Sequence, residues 1–550
     1  MRFHLISLRT FICLIIGILL FCTRSDDKTN QPALCTIQVR VLNENGTPVP
    51  VRVRFTSLDS TYWAPDGHTT DFSVAQVSDD VFMDNGRRFA YVPGEFTIAL
   101  PPDRFVAEIA KGYAYRVFTD TVTVTQTTQT LEFQLDKWFE FPDTPWYSGD
   151  VHVHHIDPLR AALQTQAENL NVCNILTSDF TKDQEHFKGR PESNSDPNHL
   201  VYVNQEYRKN RLGHLNLLNL KTLVDPVKQQ QPEHAPLLSR VCDETHRQNG
   251  HVTWAHFAQW PGLEGPLAIL NGKVDAVELL CNVMPFHFAM KPFADVIPDF
   301  HNNSGLRIWY RLLNCGLRIP LSAGTDKMNN FVTVGGNRVF ARVDGAFNYQ
   351  SWIDAVNAGR TFVSNSPFLF LDVNGREPGD DYNIQRGQPV TVTAKVWSQF
   401  PLDRLEIIAN GEMIAETVIS HDSEYAEVEI TVTPQTSMWF AARAYRYYHL
   451  QEEAGINFGQ PRKQGNGATT LNRWYGTLRP ETPFAHTSPV WCAVNNQAVR
   501  SAMDAEYFMQ YMDSSMRWLE RHGVFSSQTV KNAVLQQFRD GRTRFSELRN

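Results

Sequence analysis

The sequence lacks several features that assign a chain directly to a class of proteins. None of its 8 cysteines stands in a C-x-x-C pair, which argues against a cysteine-ligated zinc site. No block of lysine and arginine is present, and 51 basic residues face 59 acidic ones. The net charge of -8 therefore argues against nucleic acid as a partner. No internal repeat or low-complexity tract is visible, which leaves ordinary globular domains.

The composition and length fit a multidomain globular protein. Hydrophobic residues make up 42% and charged residues 20% of the chain, as in folded proteins. A chain of 550 residues is too long for one hydrophobic core, so we expect two to four domains.

The N-terminus resembles an export signal. The apolar run from Phe11 to Phe21 is too short to span a bilayer comfortably and has the length of a signal-peptide core. We therefore predict a signal peptide over residues 1–22 and an extracytoplasmic location, in the periplasm, at the cell surface or secreted. Cys22 follows the run, as the lipidated cysteine does in bacterial lipoproteins, although Phe21 replaces the small residue of that pattern. A simple secretory signal and an uncleaved anchor are the alternatives.

Two segments with a hydrophobic period of two flank the middle of the chain. Residues 34–140 contain short alternating runs such as Thr36 to Val41, separated by turns, which predicts a β-sandwich. This segment also resembles the carboxypeptidase regulatory-like modules of exported enzymes. Residues 368–495 return to the same period, with Val390 to Val396 alternating and Asn410-Gly411 forming a hairpin turn, and predict a second sandwich.

The segments between and after these sandwiches have a different pattern. In residues 146–367, strand-like runs alternate with helical ones, which predicts a parallel β/α arrangement. Residues 497–547 predict a helical tail, with Gly523 as a C-cap and Ser526 or Ser527 as the next N-cap.

The sharpest motif is Gly149-Asp150-Val151-His152-Val153-His154-His155. Residues two apart in a strand point the same way, so His152 and His154 can present both imidazoles to one ion. At the C-terminal end of a barrel strand, such a pair lies at the mouth, where β/α barrels keep their active sites. Because the motif is short, two hydrogen-bonded structural histidines are the alternative.

Further polar residues lie at or near the ends of the other predicted strands. They are Asp179, Glu206, His214, His256, Glu278 and Asp326. Imidazole and carboxylate ligands at successive strand ends suit Zn, Mn or Fe. Individually, Glu206 and Glu278 also fit charges at a rim, and His256 fits a core histidine.

The order of these motifs resembles the polymerase and histidinol phosphatase (PHP) superfamily, and most closely its CehA/McbA-like branch of metallohydrolases. The matching stretches are G-D-x-H-x-H at 149–154, T-S-D at 177–179, Q-E at 205–206, G-H-x-N-L-L at 213–218, A-H at 255–256, E-x-x-x-N at 278–282 and G-T-D at 324–326. Two later stretches resemble the same branch, G-R-T-F-V-S-N-S-P at 359–367 and A-H-T-S-P at 485–489.

The resemblance implies a fold and a ligand set. It implies a distorted seven-stranded β/α barrel over residues 146–367, between the two sandwich domains and followed by the helical tail. His152 and His154 would bind one metal, and Glu206 would bridge or bind beside them. His214 and His256 would serve a second metal, and Asp326 would close the site.

Two positions depart from the family pattern. Asp179 stands where the family has a histidine, and it is assigned here as an oxygen ligand. Met328 stands where the family has another histidine. The soft thioether of a methionine cannot replace an imidazole at a site of hard ligands. We therefore expect one or two divalent metal ions (Zn, Mn or Fe) and no third.

These observations predict a metal-dependent hydrolase acting on a small-molecule ester, carbamate, amide or phosphoester. Asp326 or Asp179 would accept the proton of the attacking water, and His155, Lys327 or Arg360 would stabilise the oxyanion. The competing hypothesis is a metal-containing cell-surface binding module without turnover, which Met328 favours. A purely structural protein is a third class, and the strand-end ligands argue against it.

The signal assignment predicts processing of the chain in its own cell. Mature protein should lack the residues before Cys22 or a nearby position, because signal peptides are removed after export. N-terminal sequencing and intact-mass measurement test this. Intact Met1 on soluble cytoplasmic protein would show that residues 1–22 are no export signal.

Overall fold

The computed structural model describes most of the chain. The described residues are 33–70, 80–83, 87–141, 145–179, 183–193, 196–225, 233–257, 259–281, 293–300, 303–330, 332–446 and 483–549. The predicted signal peptide and Cys22 lie outside them. The fold is mixed α/β and mostly strands, with one large curled sheet and a helical tail at the C-terminus.

The N-terminal part forms two sheets that share one core. Its strands are β1 (Cys35–Leu42), β2 (Val51–Ser57), β3 (Tyr62–Trp63), β4 (Asp80–Met83), β5 (Arg87–Val92), β6 (Glu95–Leu100), β7 (Asp103–Ala110), β8 (Phe118–Val124) and β9 (Thr130–Gln134). One sheet has the order β6-β1-β9, and the other has the order β4-β5-β2-β7-β8, with β3 beside β2. Alternating apolar side chains from both sheets, such as Val39 and Phe105, fill the core between them.

The middle of the chain supplies the larger part of the curled sheet and, among its described residues, five α-helices. The strands are β10 (Trp146–Val153), β11 (Val172–Thr177), β12 (Leu200–Lys209), β13 (Gly213–Leu218), β14 (His251–Trp254), β15 (Ala276–Leu280), β16 (Leu321–Ala323), β17 (Arg338–Arg342) and β18 (Thr361–Ser364). The helices are α1 (Pro158–Ala167), α2 (Ser239–His246), α3 (Gly265–Leu270), α4 (Gly305–Asn314) and α5 (Tyr349–Asn357). Strands β10 to β16 are neighbours in sequence order.

One strand departs from the predicted parallel arrangement. Strands β10, β11 and β12 are parallel, as are β14, β15 and β16, but β13 runs antiparallel to both of its neighbours. Only residues 210–212 connect β12 to β13, and so short a connection can join only antiparallel strands. The start of β13 therefore lies at the same edge of the sheet as the C-terminal ends of the other six strands.

The chain after β16 returns to the first strand of this series. Val153 forms a parallel bridge with Lys327, and the backbone N–H of His154 donates to the Lys327 carbonyl at 3.0 Å. This contact brings the residues after β16 beside the end of β10, although the two segments are far apart in sequence.

The C-terminal β region extends the curled sheet and adds a small one. Its strands are β19 (Phe368–Val373), β20 (Asp381–Ile384), β21 (Val390–Trp397), β22 (Arg404–Ala409), β23 (Glu412–Val418), β24 (Tyr425–Val432), β25 (Met438–Tyr445), β26 (Phe484–Thr487) and β27 (Val490–Val494). Strand β18 pairs with β26, and the sheet continues through β25 and β22 to β23, with β27 beside β25 and β20. Strands β19, β21 and β24 form the small sheet, which shares a core with the extension.

Two helices form the tail, α6 (Ala502–His522) and α7 (Gln528–Glu547). Gly523 is the C-cap of α6, and Ser527 caps α7 by accepting from the Val530 N–H, which confirms the predicted ends. Their apolar faces join the core of the curled sheet through residues such as Phe508 and Phe538. Within the described ranges, no helix is both long and apolar enough to cross a membrane.

The packing of the tail generates a stability prediction. Phe538 is fully buried, so Phe538→Ala should lower the free energy of unfolding by about 3–5 kcal/mol. Met503 lies in the same tail but is 72% exposed, so Met503→Ala should change it by less than about 0.5 kcal/mol. Urea unfolding followed by tryptophan fluorescence measures both. Equal effects of the two variants would contradict the packing described here.

Candidate metal centre

Strand β10 and the residue after it supply the histidine pair. His152 lies in β10 and His154 directly follows its last residue, and both side chains are buried. Residues two apart share a face of a strand, and the two Nε2 atoms of these side chains face each other. The predicted pairing of the two imidazoles is therefore present in the structure.

His152 and His154 meet two carboxylates from distant parts of the chain. Their Nε2 atoms are 3.0 Å apart, and Glu206 Oε2 lies 3.4 Å from His154 Nε2. Asp326 Oδ1 lies 3.5 Å from His152 Nε2 and 3.8 Å from His154 Nε2. Ligands at about 2.0–2.2 Å from a tetrahedral ion are roughly 3.3–3.6 Å from one another, so these separations suit one ion.

The outer nitrogens of both rings have acceptor partners. His152 Nδ1 faces Glu278 Oε2 at 3.0 Å, and His154 Nδ1 faces the Leu176 carbonyl at 2.8 Å. In the neutral rings these partners place the proton on Nδ1, which leaves two Nε2 lone pairs facing each other. A proton or a metal ion shared by the two nitrogens satisfies both lone pairs, and the outward Nδ1 contacts match the way metal-binding histidines are oriented.

A second group of ligand atoms adjoins the first. Glu206 Oε1 lies 3.3 Å from His214 Nδ1 and 3.7 Å from His256 Nε2, and the two ring nitrogens are 3.2 Å apart. His214 reaches this group because antiparallel β13 places its first residues at the edge where the other strands end. The same Oε1 also lies 3.9 Å from His152 Nε2, so Glu206 belongs to both groups, and both groups could hold a metal ion.

The electrostatics of the cluster favour bound positive charge. Burial alone lowers the pKa of His152, but the carboxylates of Glu278, Asp326 and Glu206 outweigh burial and raise it to about 10. Burial alone raises the pKa of Glu206, but hydrogen bonds from three histidines hold it well below its usual range. Burial lowers the pKa of His214 to about 4, which keeps that ring neutral and able to bind a metal. Buried carboxylates in this number need cations as partners.

Glu278 was among the strand-end candidates from the sequence but was not assigned to the ligand set. It is fully buried in β15, where its Oε2 also accepts from the His256 N–H at 2.6 Å. It therefore orients one histidine from each group. Cys281 joins His152 and Glu278 in a third set whose ligand atoms lie within 4.8 Å of one another. No spacing in the sequence distinguishes this glutamate from a rim charge.

Asp150 is a second residue that the sequence reasoning did not select. Its carboxylate accepts from the N–H groups of His152 and Thr325 at 3.0 Å each, from Thr325 Oγ1 at 2.7 Å and from the Gly335 N–H at 2.9 Å. Burial nevertheless raises the pKa of Asp150 to about 6. The carboxylate fixes the strand that carries His152 to the residue before Asp326.

Backbone conformation at the strand ends is unusual. His155, His256 and Asp326 each follow a strand and have positive φ angles of 53°, 35° and 46°. Such conformations are disfavoured outside glycine and persist where the surroundings enforce them, commonly at functional sites. Gly324 is required for close packing, since a Cβ there would lie 2.6 Å from the Cβ of His152.

The structure places Asp179 and His155 beside the cluster. The Asp179 carboxylate lies 3.9 Å from Arg208 Nη1, and Asp179 belongs to none of the three ligand sets found among the described residues. The ring of His155 is centred 6.2 Å from that of His154.

Lys327 and Arg360, the other predicted oxyanion donors, contact other groups in the structure. Lys327 is buried and donates to the carbonyls of Asn329 at 2.9 Å and Val332 at 2.6 Å. Arg360 pairs with Asp344. Both cations therefore already have partners, backbone carbonyls for Lys327 and a carboxylate for Arg360.

Comparison with known proteins adds little. No protein-family model and no curated protein matches the chain. Among solved structures, PsfC from Pseudomonas syringae is similar with a TM-score of 0.27 and 15% identity, over 39% of this chain and 90% of PsfC. A β-glucuronidase from Bacteroides uniformis is similar with a TM-score of 0.14 and 11% identity, over 78% of this chain and 56% of that enzyme. Neither score is high enough to support an argument about fold or function.

The two ligand groups predict separable metal loss. Replacing His152 and His154 together by alanine should remove the metal of the first group, because two of its donors disappear. His214, His256 and Glu206 should retain any ion of the second group. Elemental analysis after dialysis measures the metal content, and circular dichroism checks the fold.

A histidine outside the cluster provides the control. His421 pairs with Asp403 and is 57% exposed, so His421→Ala should leave metal content unchanged. Unchanged metal content in the double variant would show that this pair binds no metal.

Proposed function

We propose that this chain is an exported metal-dependent hydrolase that activates water for attack on an ester, carbamate, amide or phosphoester. The observation that carries the proposal is the position of Glu206, whose carboxylate belongs to both ligand groups, with Oε2 3.4 Å from His154 Nε2 and Oε1 3.3 Å from His214 Nδ1. A carboxylate shared in this way supports two neighbouring metal positions, an arrangement common in metal-dependent hydrolases.

The donor set favours Zn, Mn or Fe, in one or two ions per chain. All the close ligand atoms of the two groups are imidazole nitrogens and carboxylate oxygens, which suit these metals. When bound, a divalent metal supplies Lewis acidity, which lowers the pKa of water and polarises the bond to be cleaved. His152, His154 and Asp326 would hold the first ion, His214 and His256 the second, and Glu206 would bind between them.

Among the carboxylates of the cluster, Asp326 is best placed to move a proton. Its side chain is 15% exposed, against 3% for Glu206 and 0% for Glu278. Glu206 is held as a carboxylate by three histidines, and Glu278 is occupied in orienting two of them. We therefore assign to Asp326 the acceptance of the proton from the attacking water.

The resemblance to the CehA/McbA-like branch of the PHP superfamily supports the same proposal. In this proposal, strands β10 to β16 form the PHP-like barrel, and residues 34–140 and 368–495 form the two β-sandwich domains. The proposed substrate is a small molecule, and nucleic acid is not a partner. If the lipoprotein signal operates, a lipid on Cys22 attaches the protein to the membrane.

The second candidate function is a metal-containing binding module without turnover, at the cell surface. Met328, where the family has a histidine, favours it. Met328 is 41% exposed and offers no imidazole to the site. A metal site that lacks one histidine of the family pattern fits a protein that binds a small molecule without cleaving it.

Asp326→Asn separates these functions. The change keeps the shape of the side chain and removes its charge and its basicity. In a hydrolase it should lower turnover by roughly a hundredfold or more, because it affects both a metal ligand and the proton acceptor. Asp422→Asn, at an exposed position in the turn between β23 and β24, should leave turnover unchanged.

Rates are measured on protein loaded with Zn, Mn or Fe, against ester, carbamate, amide and phosphoester substrates. Wild-type protein that binds metal and remains inert across this panel would favour the binding module. Full activity of Asp326→Asn would show that another group accepts the proton.

A further inference from the structure

Arg208 lies beside the carboxylate that joins the two ligand groups. It follows Glu206 by two residues in β12, so both side chains extend from the same face of the strand. The antiparallel register sets Arg208 directly opposite His214 of β13. The guanidinium therefore borders the second ligand group on its strand-end side.

The contacts of Arg208 with nearby carboxylates are charge pairs. Its Nε lies 3.8 Å from Glu206 Oε2, and its Nη1 lies 3.9 Å from Asp179 Oδ1. Both distances exceed the hydrogen-bond range of about 2.7–3.2 Å. Arg208 is 31% exposed where Glu206 is 3% exposed, so the cation lies on the solvent side of the cluster.

A cation in this position opposes the binding of metal ions a few ångströms away. The carboxylate of Asp179 offsets that repulsion in part. Its side chain is 27% exposed, close to the exposure of Arg208. The arrangement becomes favourable when an anion enters, because the anion is attracted by the metal ions and by the guanidinium together. A guanidinium also matches the two oxygens of a carboxylate or phosphoryl group by donating two parallel N–H bonds.

We propose that Arg208 binds an oxyanion of the substrate, a carboxylate or a phosphoryl group at the scissile bond, and that Asp179 is its counterion while no substrate is bound. This inference rests on the proposed hydrolase function and narrows its substrate class to acidic small molecules. Asp179, predicted from the sequence as a metal ligand, acquires a different role: its carboxylate competes with the substrate anion for the guanidinium.

The proposal predicts opposite effects at the two positions. We would titrate the full-length, zinc-loaded chain with inorganic phosphate and with benzoate by calorimetry, and with acetohydroxamate as a neutral metal-directed probe. Arg208→Gln should weaken the binding of at least one of the two anions by at least about tenfold, because a charge-assisted hydrogen-bond donor is lost. Acetohydroxamate should bind this variant within about twofold of wild type.

Two further variants separate the role of Arg208 from general structural damage. Asp179→Asn should strengthen anion binding several-fold, because it removes the competing carboxylate, and it should leave zinc content unchanged. Arg208→Lys should recover part of the anion affinity, since it restores the charge without the two-pronged geometry. Arg247→Gln, at a residue that is 67% exposed just after α2, is the matched control and should bind all probes as wild type does.

The arms of the experiment also identify the anion. A loss confined to phosphate assigns a phosphoryl group to Arg208, and a loss confined to benzoate assigns a carboxylate. Unchanged affinity for both anions in Arg208→Gln, or loss of zinc in Asp179→Asn, would overturn the proposal.

These results are distinguishable from failure of the proposed function. Wild-type protein that binds zinc and anions through Arg208 but cleaves no substrate would refute the hydrolase and leave the anion site. Rapid cleavage of neutral esters, unchanged in Arg208→Gln, would support the hydrolase and refute the acidic substrate class.

Discussion

The Glu206 carboxylate is the group through which the two halves of the candidate metal centre interact. Its Oε2 faces His154 and its Oε1 faces the other three imidazoles, and the four imidazoles come from strands on opposite sides of β12. Buried at this position, a lone carboxylate would be unstable without the imidazoles that donate to it. The groups of the cluster therefore stabilise one another, and together they could hold a metal ion.

Two buried carboxylates, Asp150 and Glu278, hold this set in place by hydrogen bonds to backbone and to a histidine ring. Asp150 fixes the backbone on both sides of the first group, and Glu278 joins the first group to the second through His152 and the His256 N–H. Positive φ angles at His256 and Asp326 show how tightly the turns after the strands are constrained. Such constraint reduces the reorganisation that a metal site requires on binding.

The sequence predicts the elements with local patterns well and the long-range interactions poorly. The helical tail and its caps at Gly523 and Ser527 can be predicted, because hydrophobic period and capping are local properties. The pairing of His152 with His154 follows from the period of a strand. The reversal of β13 is visible only in the short connection before it. The roles of Asp150 and Glu278 depend on partners 175 and 126 residues away, and the pairing of Asp179 with Arg208 depends on side-chain directions at two strand ends.

The bridge between Val153 and Lys327 determines when the metal centre can form during folding. Asp326 reaches the histidines of β10 only after all the intervening strands have been added, and closing so long a loop is entropically costly and slow. A chain synthesised only as far as β16 thus lacks the Asp326 carboxylate of the first group. If the chain crosses a membrane before it folds, its ligands first come together in the outer compartment, and the ion that fills them is drawn from the metals available there.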